Sequence, residues 1–591
     1  PVAFMKGIVG RFFLQFALTV VFAVLMSLFV SFTLTPMLAS RYLHPHSAQA
    51  DESRHLAALM RHPRITRLGD RLECWYQQSE QWYRNLLQYA MTHRRKVVII
   101  SVGIFFLSML LTLVLGKEFH PQEDQSRFIV RLEAPVDYSV DEADHLFRKA
   151  ETLLRQMPET RTVLHAQGLS GQINKAQMFV GIAQKSERTR SQQTIMQELR
   201  RSLTTIAGLK TTIEDISLIG GGVRNVPVQY AVRGNDLSAI QGYMRQIIRD
   251  YAKLPGIVDI DTSLETGKPE LRVYIDRDKA ADLGVETATI GEAINFLIGG
   301  EVEVTKFKDE SRGRRYDVRA RLNPEDRRDP SDLGRLYVRA KDGRLVEISN
   351  VIDIREGGGP STIQRVDRQR AIMLFANLEG KPLGQAMDEL NAISAKILPE
   401  GYSGVYKGAA EIMGETFYYL IFALVLGVVL AYMILAAQFE SFIHPITVLI
   451  SMPFSFVGAF GALLLTGQTL NLFSFIGLIL LMGLVKKNAI LLVDYTNTLR
   501  ARGIPRREAI LEAGPVRLKP ILMTTFAMIL GMLPIAVGLG EGAETRAPMA
   551  IATIGGLISS LFLTLLVVPV VYDLFDEAEE RFAAWRARRQ R

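Results

Sequence analysis

The sequence predicts an α-helical membrane bundle that carries a large α+β insertion of ferredoxin-like βαβ subdomains. Three observations predict it. Seven apolar stretches of about bilayer length lie toward the two ends of the chain. The long segment between the second and third of them alternates strand-like and helix-like patterns. The Lys/Arg-rich connections between the apolar stretches all fall on one side of a consistent threading.

The first span is Phe12–Leu38, within residues 1–40, with Pro36 near its end. Residues 41–96 turn polar and basic, with Arg54, Arg61, Arg64, Arg67, Arg71, Arg84, Arg94, Arg95 and Lys96. By the positive-inside rule they are cytoplasmic. Within them Leu72–Met91 carries Trp75, Tyr76, Trp82, Tyr83 and Tyr89. That mix suits a helix lying along the membrane surface, and equally an ordinary helical linker. Val97–Gly116 is the second span.

Residues 117–412 form the insertion, which this threading places outside the cytoplasm. Strand Arg127–Glu133, helix Val140–Gln156 and strand Thr162–Gln167 open it. Strands Met178–Ala183 and Thr211–Ile216 flank helix Gln192–Ile206. Pro227–Val232, Leu237–Ala252 and Val258–Thr262 form another strand–helix–strand unit, and Arg370–Asn377, Leu383–Ile397 and Gly404–Lys407 the last. Such split βαβ units are the reason for expecting ferredoxin-like subdomains. Leu271–Arg355, with short strands and the charged run Lys306–Arg321, reads as an inserted subdomain. Gly220–Gly222 and Gly357–Gly359 read as hinges or turns. They lack the other residues of a phosphate loop.

Residues 413–575 return to the membrane as Phe417–Ala437, Phe442–Gly467, Leu470–Tyr495, Pro520–Gly540 and Met549–Phe575. Residues 576–591 are a basic cytoplasmic tail. The net charge of +8 is therefore a topology signal, with no nucleic-acid patch implied. With 591 residues, 48% of them hydrophobic and clustered, the chain is too long for one soluble domain. The single cysteine, Cys74, reads as an inert thiol. No signal peptide is visible, and the start at Pro1 with a span close behind suggests a fragment of a longer protein.

Chemistry concentrates in Leu470–Tyr495, LNLFSFIGLILLMGLVKKNAILLVDY. Lys486, Lys487 and Asn488 sit well inside it. A charge at bilayer depth costs at least about 2.5–3.5 kcal/mol, so it persists where it faces a bundle interior and has a partner. Lys487 has ten mostly apolar residues after it and is the functional candidate. Lys486 points about 100° away and is the better placed to snorkel. Asp494 shares the Lys487 face but lies about 10 Å along the axis, too far to pair with it, and is expected to cap the span. Arg517 and Thr524 share one face of the next helix. No Asp or Glu lies in the middle of any span, so a partner for Lys487 is expected outside this chain. A bland reading of Thr524 is a hydroxyl bonded to its own helix backbone.

No enzyme constellation is present: His120, His165 and His444 are isolated, and HExxH, GxSxG and CxxC are absent. Neither a catalytic residue nor a resident metal or cofactor is expected. Met157, Met178, Met196, Met244, Met373 and Met387 have no paired spacing and read as core.

GLVKKNAILLVDY (Gly483–Tyr495), VRLKPILMTT (Val516–Thr525), AAQFESFIHPITVLISMP (Ala436–Pro453) and LPEGYSGVYKG (Leu398–Gly408) resemble the resistance-nodulation-division exporters, in their hydrophobe/amphiphile branch of AcrB-type multidrug pumps. The resemblance covers essentially the whole chain. It implies two parallel six-helix repeats, of which this chain would hold the last helix of the first and all of the second. Residues 121–220 would be one porter subdomain, 226–265 with 370–408 another, and 271–355 the funnel subdomain. It implies a trimer in the lipid of the bacterial inner membrane, with a large periplasmic domain. Such a pump works with a periplasmic adaptor protein and an outer-membrane channel, and proton influx drives export of small-molecule substrates.

Carried over by motif, Lys487, Arg517 and Thr524 would be a proton relay, and Phe179 in QMFVGI would line a deep substrate pocket. The proton-taking aspartates of the family lie on a helix that would precede Pro1. The loop Gly168–Gln177, GLSGQINKAQ, lacks the phenylalanines of the best-known members. Phe179 and Tyr230 are then the expected stacking surfaces. The rival readings are a heavy-metal exporter of the same superfamily, which would need converging methionines or acids, and a non-transporting membrane scaffold or sensor.

Overall fold

The structure is a computed structural model that describes residues 5, 7–42, 63–168, 171–216, 224–264, 268–300, 303–359, 363–538 and 542–589. Gly220–Gly222, Pro1, Arg54 and Arg61 lie outside the described residues.

The first span is two helices, α1 (Gly7–Phe32) and α2 (Leu34–Tyr42), broken at Thr33. Pro36 has no N–H for the Phe32 carbonyl, which accounts for the break. Helix α3 (Pro63–Thr92) starts earlier than the aromatic run suggested, and α4 (Arg94–Val114) is the second span.

The insertion begins with β1 (Arg127–Glu133), α5 (Val140–Gln156), β2 (Thr160–Gln167), β3 (Lys175–Ile182), α6 (Gln192–Leu203) and β4 (Lys210–Asp215). The four strands form one antiparallel sheet in the order β2-β3-β1-β4. Alternation along β1 explains its two faces. Phe128, Val130 and Leu132 point to one side and pack on Phe147, Leu154, Ile195 and Leu199 of the two helices. Helix α5 starts where Ser139 Oγ accepts the Glu142 N–H and Glu142 returns a bond to the Ser139 N–H at 2.8 Å.

A second unit repeats the plan. It contains β5 (Val228–Gly234), α7 (Leu237–Tyr251) and β6 (Ile257–Thr262). The chain then leaves through β7 (Lys268–Ile275), α8 (Arg277–Asp282), α9 (Thr287–Ile294), the hairpin β8 (Glu303–Asp309) and β9 (Arg314–Arg319), then β10 (Tyr337–Arg339), β11 (Leu345–Glu347) and β12 (Ile352–Gly359). This excursion has its own core around Ile290, Val338, Ile348 and Val351. Gly357–Gly359 pairs with Lys268–Glu270 at the end of β12, so it is strand and not the hinge or turn expected.

The second unit resumes with β13 (Gln364–Val366), β14 (Gln369–Leu378), α10 (Leu383–Ile397) and β15 (Ser403–Tyr406). Strand β14 pairs with β6 and β5, and β5 with β15. With the excursion set aside, the order is again second-third-first-fourth.

The remaining spans are α11 (Ala409–Phe439), the pair α12 (His444–Leu449) and α13 (Ser451–Leu465), α14 (Leu472–Ala501), α15 (Arg506–Ala536) and α16 (Ala543–Arg589). Among the described residues seven segments are thus long and apolar enough to cross a membrane. Helices α13 and α16 cross closely at Gly458 and Gly555, where an added Cβ on either would strike the other's carbonyl oxygen. The basic connection between the spans Leu470–Tyr495 and Pro520–Gly540 is not a loop throughout: from Arg506 it is the first turns of α15, which continues through Pro515 and Pro520. The basic tail continues α16 as helix to Arg589.

The bundle has two distinct ends. At one, Leu470 exchanges backbone bonds with Gly116 and Glu118 at 2.8 and 3.1 Å, and Lys185 pairs with Glu544. The loop before α14 and the first turn of α16 therefore lie against the insertion. At the other end Arg94, Arg500 and Arg506 meet Asp573, Asp576 and Glu577. The basic connections gather there, as the charge pattern required.

Candidate functional site

Helix α14 packs against α11, α12, α13, α15 and α16. Asn471 Oδ1 caps it, accepting the Phe473 and Ser474 N–H groups at 3.0 Å each. One face, with Leu481, Val485, Asn488, Ala489 and Leu492, is buried. Lys486 is half-buried and Lys487 is exposed. Gly483, Lys487, Asp494 and Thr498 form an uncovered line down the helix. Among the described residues no hydrogen bond or ion pair reaches Lys487. Its orientation corrects the expectation of a lysine turned into this part of the bundle. Asp494 does not cap the span, since the helix runs on to Ala501.

On α15, Arg517 is half-buried with its guanidinium 4.5 Å from the centre of the Tyr495 ring, and its Nε has no hydrogen-bond partner. Thr524 Oγ1 donates to the Ile521 carbonyl at 3.2 Å, the backbone bond of the bland reading. No hydrogen bond joins Lys487, Arg517 and Thr524 among the described residues. The polar contact between α14 and α15 is instead Asn488 Nδ2 to Thr525 Oγ1 at 3.5 Å, both side chains being buried. Asn488 Oδ1 is left unpartnered. Their positions follow from the 100° step per residue: each is the neighbour of a relay candidate, turned inward.

The two substrate candidates separate. Phe179 sits in the middle of β3, 37% exposed, on the face away from the helices. Leu164 and Ile129 stand directly opposite it on the flanking strands. Tyr230 is 3% exposed, its OH 2.5 Å from Ser394 Oγ and its ring packed 4.9 Å from Tyr406. It has no free face for a ligand, and its expected stacking role is corrected accordingly. Met178, Met196, Met244 and Met373 are buried and Met157 and Met387 pack against cores, as their spacing suggested. Among the described residues no cluster of three or more His, Cys, Asp or Glu side chains could hold a metal ion.

Sequence reasoning missed the junction between the two α/β units. Glu214 is fully buried, 2.9 Å from Arg131 and 3.0 Å from Arg224. Arg224 also pairs with Asp261, and Arg200 with Asp259 at 2.8 Å. These are pairs between distant segments, so no local pattern announces them. Burial pushes the Asp261 carboxyl up, but Lys210 and Arg224 override that and hold it below the usual range. Its contribution to the junction is present above about pH 4 and lost as pH falls below that.

Beside this junction lies a cavity of about 230 Å³, lined by Glu118, His120, Arg200, Asp215 and Glu379, with Phe473 of α14 and Thr545 of α16 at its membrane end. Burial pushes the Asp215 carboxyl up, against the hydrogen bond from Gln192 at 2.8 Å. Burial does the same to Glu118, against the bond from Thr469 at 3.0 Å. An acid raised in the folded state binds its proton more tightly there, so it gains stability as pH falls through the raised value. On acidification from neutrality, infrared difference spectra should show carboxyl protonation above the ordinary range of about 4. Glu118→Gln and Asp215→Asn should each remove part of that signal. An unchanged signal in both variants would refute the assignment.

Residues 1–576 match the family model described as the AcrB/AcrD/AcrF family. The multidrug resistance protein MdtC of Erwinia tasmaniensis is 30% identical over 589 residues, which cover 98% of this chain and 55% of that protein. MdtC of Cronobacter sakazakii is 29% identical, with 98% and 55% covered. The crystal structure of a heavy metal efflux pump superposes with a TM-score of 0.75 at 26% identity, over 84% of this chain and 52% of that one. The chain spans about half the length of the curated relatives it matches.

Proposed function

The chain belongs to the AcrB/AcrD/AcrF family, and from that premise we propose that it exports hydrophobic or amphiphilic compounds using the proton-motive force. It does so as the inner-membrane component of a tripartite pump, a trimer joined to a periplasmic adaptor and an outer-membrane channel. The observation that carries the reading is Lys487: a cation at mid-span, on an uncovered face of α14, inside a family match over residues 1–576. A charge at that depth has a partner in the assembled membrane protein. A carboxylate on a helix packed against the Gly483–Thr498 line would supply it. Proton binding to that carboxylate would release the lysine, and Arg517 and Thr524 would complete the relay. The α/β units form the periplasmic porter subdomains, 121–220 and 226–265 with 370–408. Their shared strand order supports a ferredoxin-like assignment. Residues 271–355 form the funnel.

Phe179, with Leu164 beside it, is the substrate surface. Cells producing the whole protein should accumulate less of an amphiphilic cationic dye, and dissipating the proton gradient should restore accumulation. Phe179→Ala should reduce dye export two- to ten-fold, the range of one aromatic contact, without loss of protein from the membrane. Unchanged dye accumulation in producing cells would overturn the reading.

A heavy-metal exporter is the second reading, favoured by the structural likeness to a heavy metal efflux pump. The burial of the methionines in cores weighs against it. Raised tolerance of a soft metal ion, with no effect on dye, would reverse the order.

A further inference from the structure

Helix α3 ends at Thr92, and α4 enters the membrane two residues later. Tyr83, Leu87, Ala90 and Met91 on one side of α3 are buried against the bundle, and Tyr83 OH donates to the Leu565 carbonyl at 2.9 Å. On the other side Trp75, Trp82 and Tyr89 are exposed. They are seven residues apart, two turns each, so they form one stripe about 20 Å long. Aromatic rings with a polar edge collect at the headgroup level of a bilayer. The stripe therefore marks that level on a helix held against the bundle by its opposite face.

At the end of this stripe a pocket of about 540 Å³ lies between the α3–α4 corner and α16. His93, Arg94, Arg95 and Lys96 form one wall, and Leu574, Glu577 and Arg581 the other. Four cations thus face one carboxylate. Arg94 is engaged by Asp573 at 2.7 Å and Glu577 at 3.0 Å, and Arg581 by Glu577 at 2.6 Å. Arg95 and Lys96 are exposed and have no ion-pair partner among the described residues. Directly beyond them the surface of α4 becomes apolar, with Ile99, Ile100, Phe106 and Leu107 exposed.

We propose that this pocket is a binding site for the headgroup of an anionic phospholipid, with Arg95 and Lys96 on its phosphate and the acyl chains along α4. The charge excess selects an anion. The aromatic stripe sets the pocket at headgroup depth. The apolar continuation down α4 selects a lipid over a free phosphate, which would leave that surface unused. A cation within reach of an anionic headgroup contributes about a factor of five to binding, so the pair contributes about 30-fold.

The test uses the whole protein, purified in detergent and analysed by native mass spectrometry with added phosphatidylglycerol or phosphatidylcholine. Wild-type protein should retain phosphatidylglycerol preferentially. The double variant Arg95→Gln/Lys96→Gln should lose that preference by about 30-fold, while Arg95→Lys/Lys96→Arg keeps it. Neither residue is in the ion pairs that tie the helices together, so the fold is not at stake. Equal retention of both lipids by wild-type protein overturns the proposal. So does loss in the charge-preserving variant, which would make shape, not charge, the determinant. Displacement of the lipid by millimolar inorganic phosphate would assign the pocket to a free anion and also overturn it.

Discussion

Lys487→Met in the whole protein should reduce proton-driven export of an amphiphilic dye by about 100-fold or more, to the level of cells without the pump. Lys486→Met should leave export within about two-fold of wild type. The contrast follows from where the two side chains point. Lys486 is half-buried against its own bundle, whereas Lys487 projects from the uncovered line of α14. A lysine at this depth is tolerated when another charge meets it, and removing one partner of such a pair costs about 3–5 kcal/mol. If that pairing is the step proton binding switches, its loss appears in rate: about 3 kcal/mol is already more than 100-fold. Methionine is unbranched, only one atom shorter, and at ease in lipid. The buried face through Val485, Asn488 and Leu492 is untouched, so the variant should reach the membrane in normal amount. Lys487→Arg should retain part of the activity, because the charge persists in a different hydrogen-bonding geometry. Normal export by Lys487→Met would remove the relay and favour the scaffold reading.

The same residue shows what a sequence discloses and what it withholds. Periodicity and span length are local, so α5, α10 and β1 fall on the segments their patterns predict. The depth of Lys487 is local too, being a count of apolar residues to either side. Which way it faces depends on which helices pack around α14, and apolar spans of similar composition do not announce their neighbours. Tyr230 misled for a related reason. An aromatic on a strand suits a cleft or a core equally, and Ser394, 164 residues away, decides for the core by sharing a hydrogen bond with its hydroxyl. Charge and proline in the basic run after Arg500 argue against a helix in water. In the structure Pro515 lies inside α15, where packing against α3 at Gly514 holds the chain helical. The ionic contacts of Glu214 and Asp573 were the least legible, because each joins residues brought together only by the tertiary fold.

Asp573 is where the second large effect is expected, and it is an effect on stability. The residue is on α16 and fully buried. Its oxygens lie 2.7 Å from Arg94 of α4 and 2.8 Å from Arg506 of α15, close enough to neutralise it although neither approach is aligned as a hydrogen bond. One turn on, Asp576 accepts from Arg500 of α14 at 2.8 Å and from Arg506 at 2.9 Å. Tyr572 OH completes the set, donating to Asn497 at 2.6 Å. Four helices are therefore tied at one end of the bundle through two carboxylates. Asp573→Asn preserves the shape and deletes one charge between two half-buried arginines. It should cost about 3 kcal/mol, the lower end of the range for a broken buried pair, because Arg94 keeps Glu577 and Arg506 keeps Asp576. Asp576→Asn should cost about 1 kcal/mol, since Arg506 retains the more buried partner. Glu577→Gln, at a partly exposed site, should cost the least of the three. The order is measurable as the detergent or temperature midpoint at which the purified protein loses its helical signal. Equal midpoints for Asp573→Asn and Glu577→Gln would show that the buried contact is not what holds this end together. Adding Arg94→Gln to Asp573→Asn should not restore the midpoint, because Arg506 still faces the lost charge. That residual deficit distinguishes a three-body charge cluster from a simple pair.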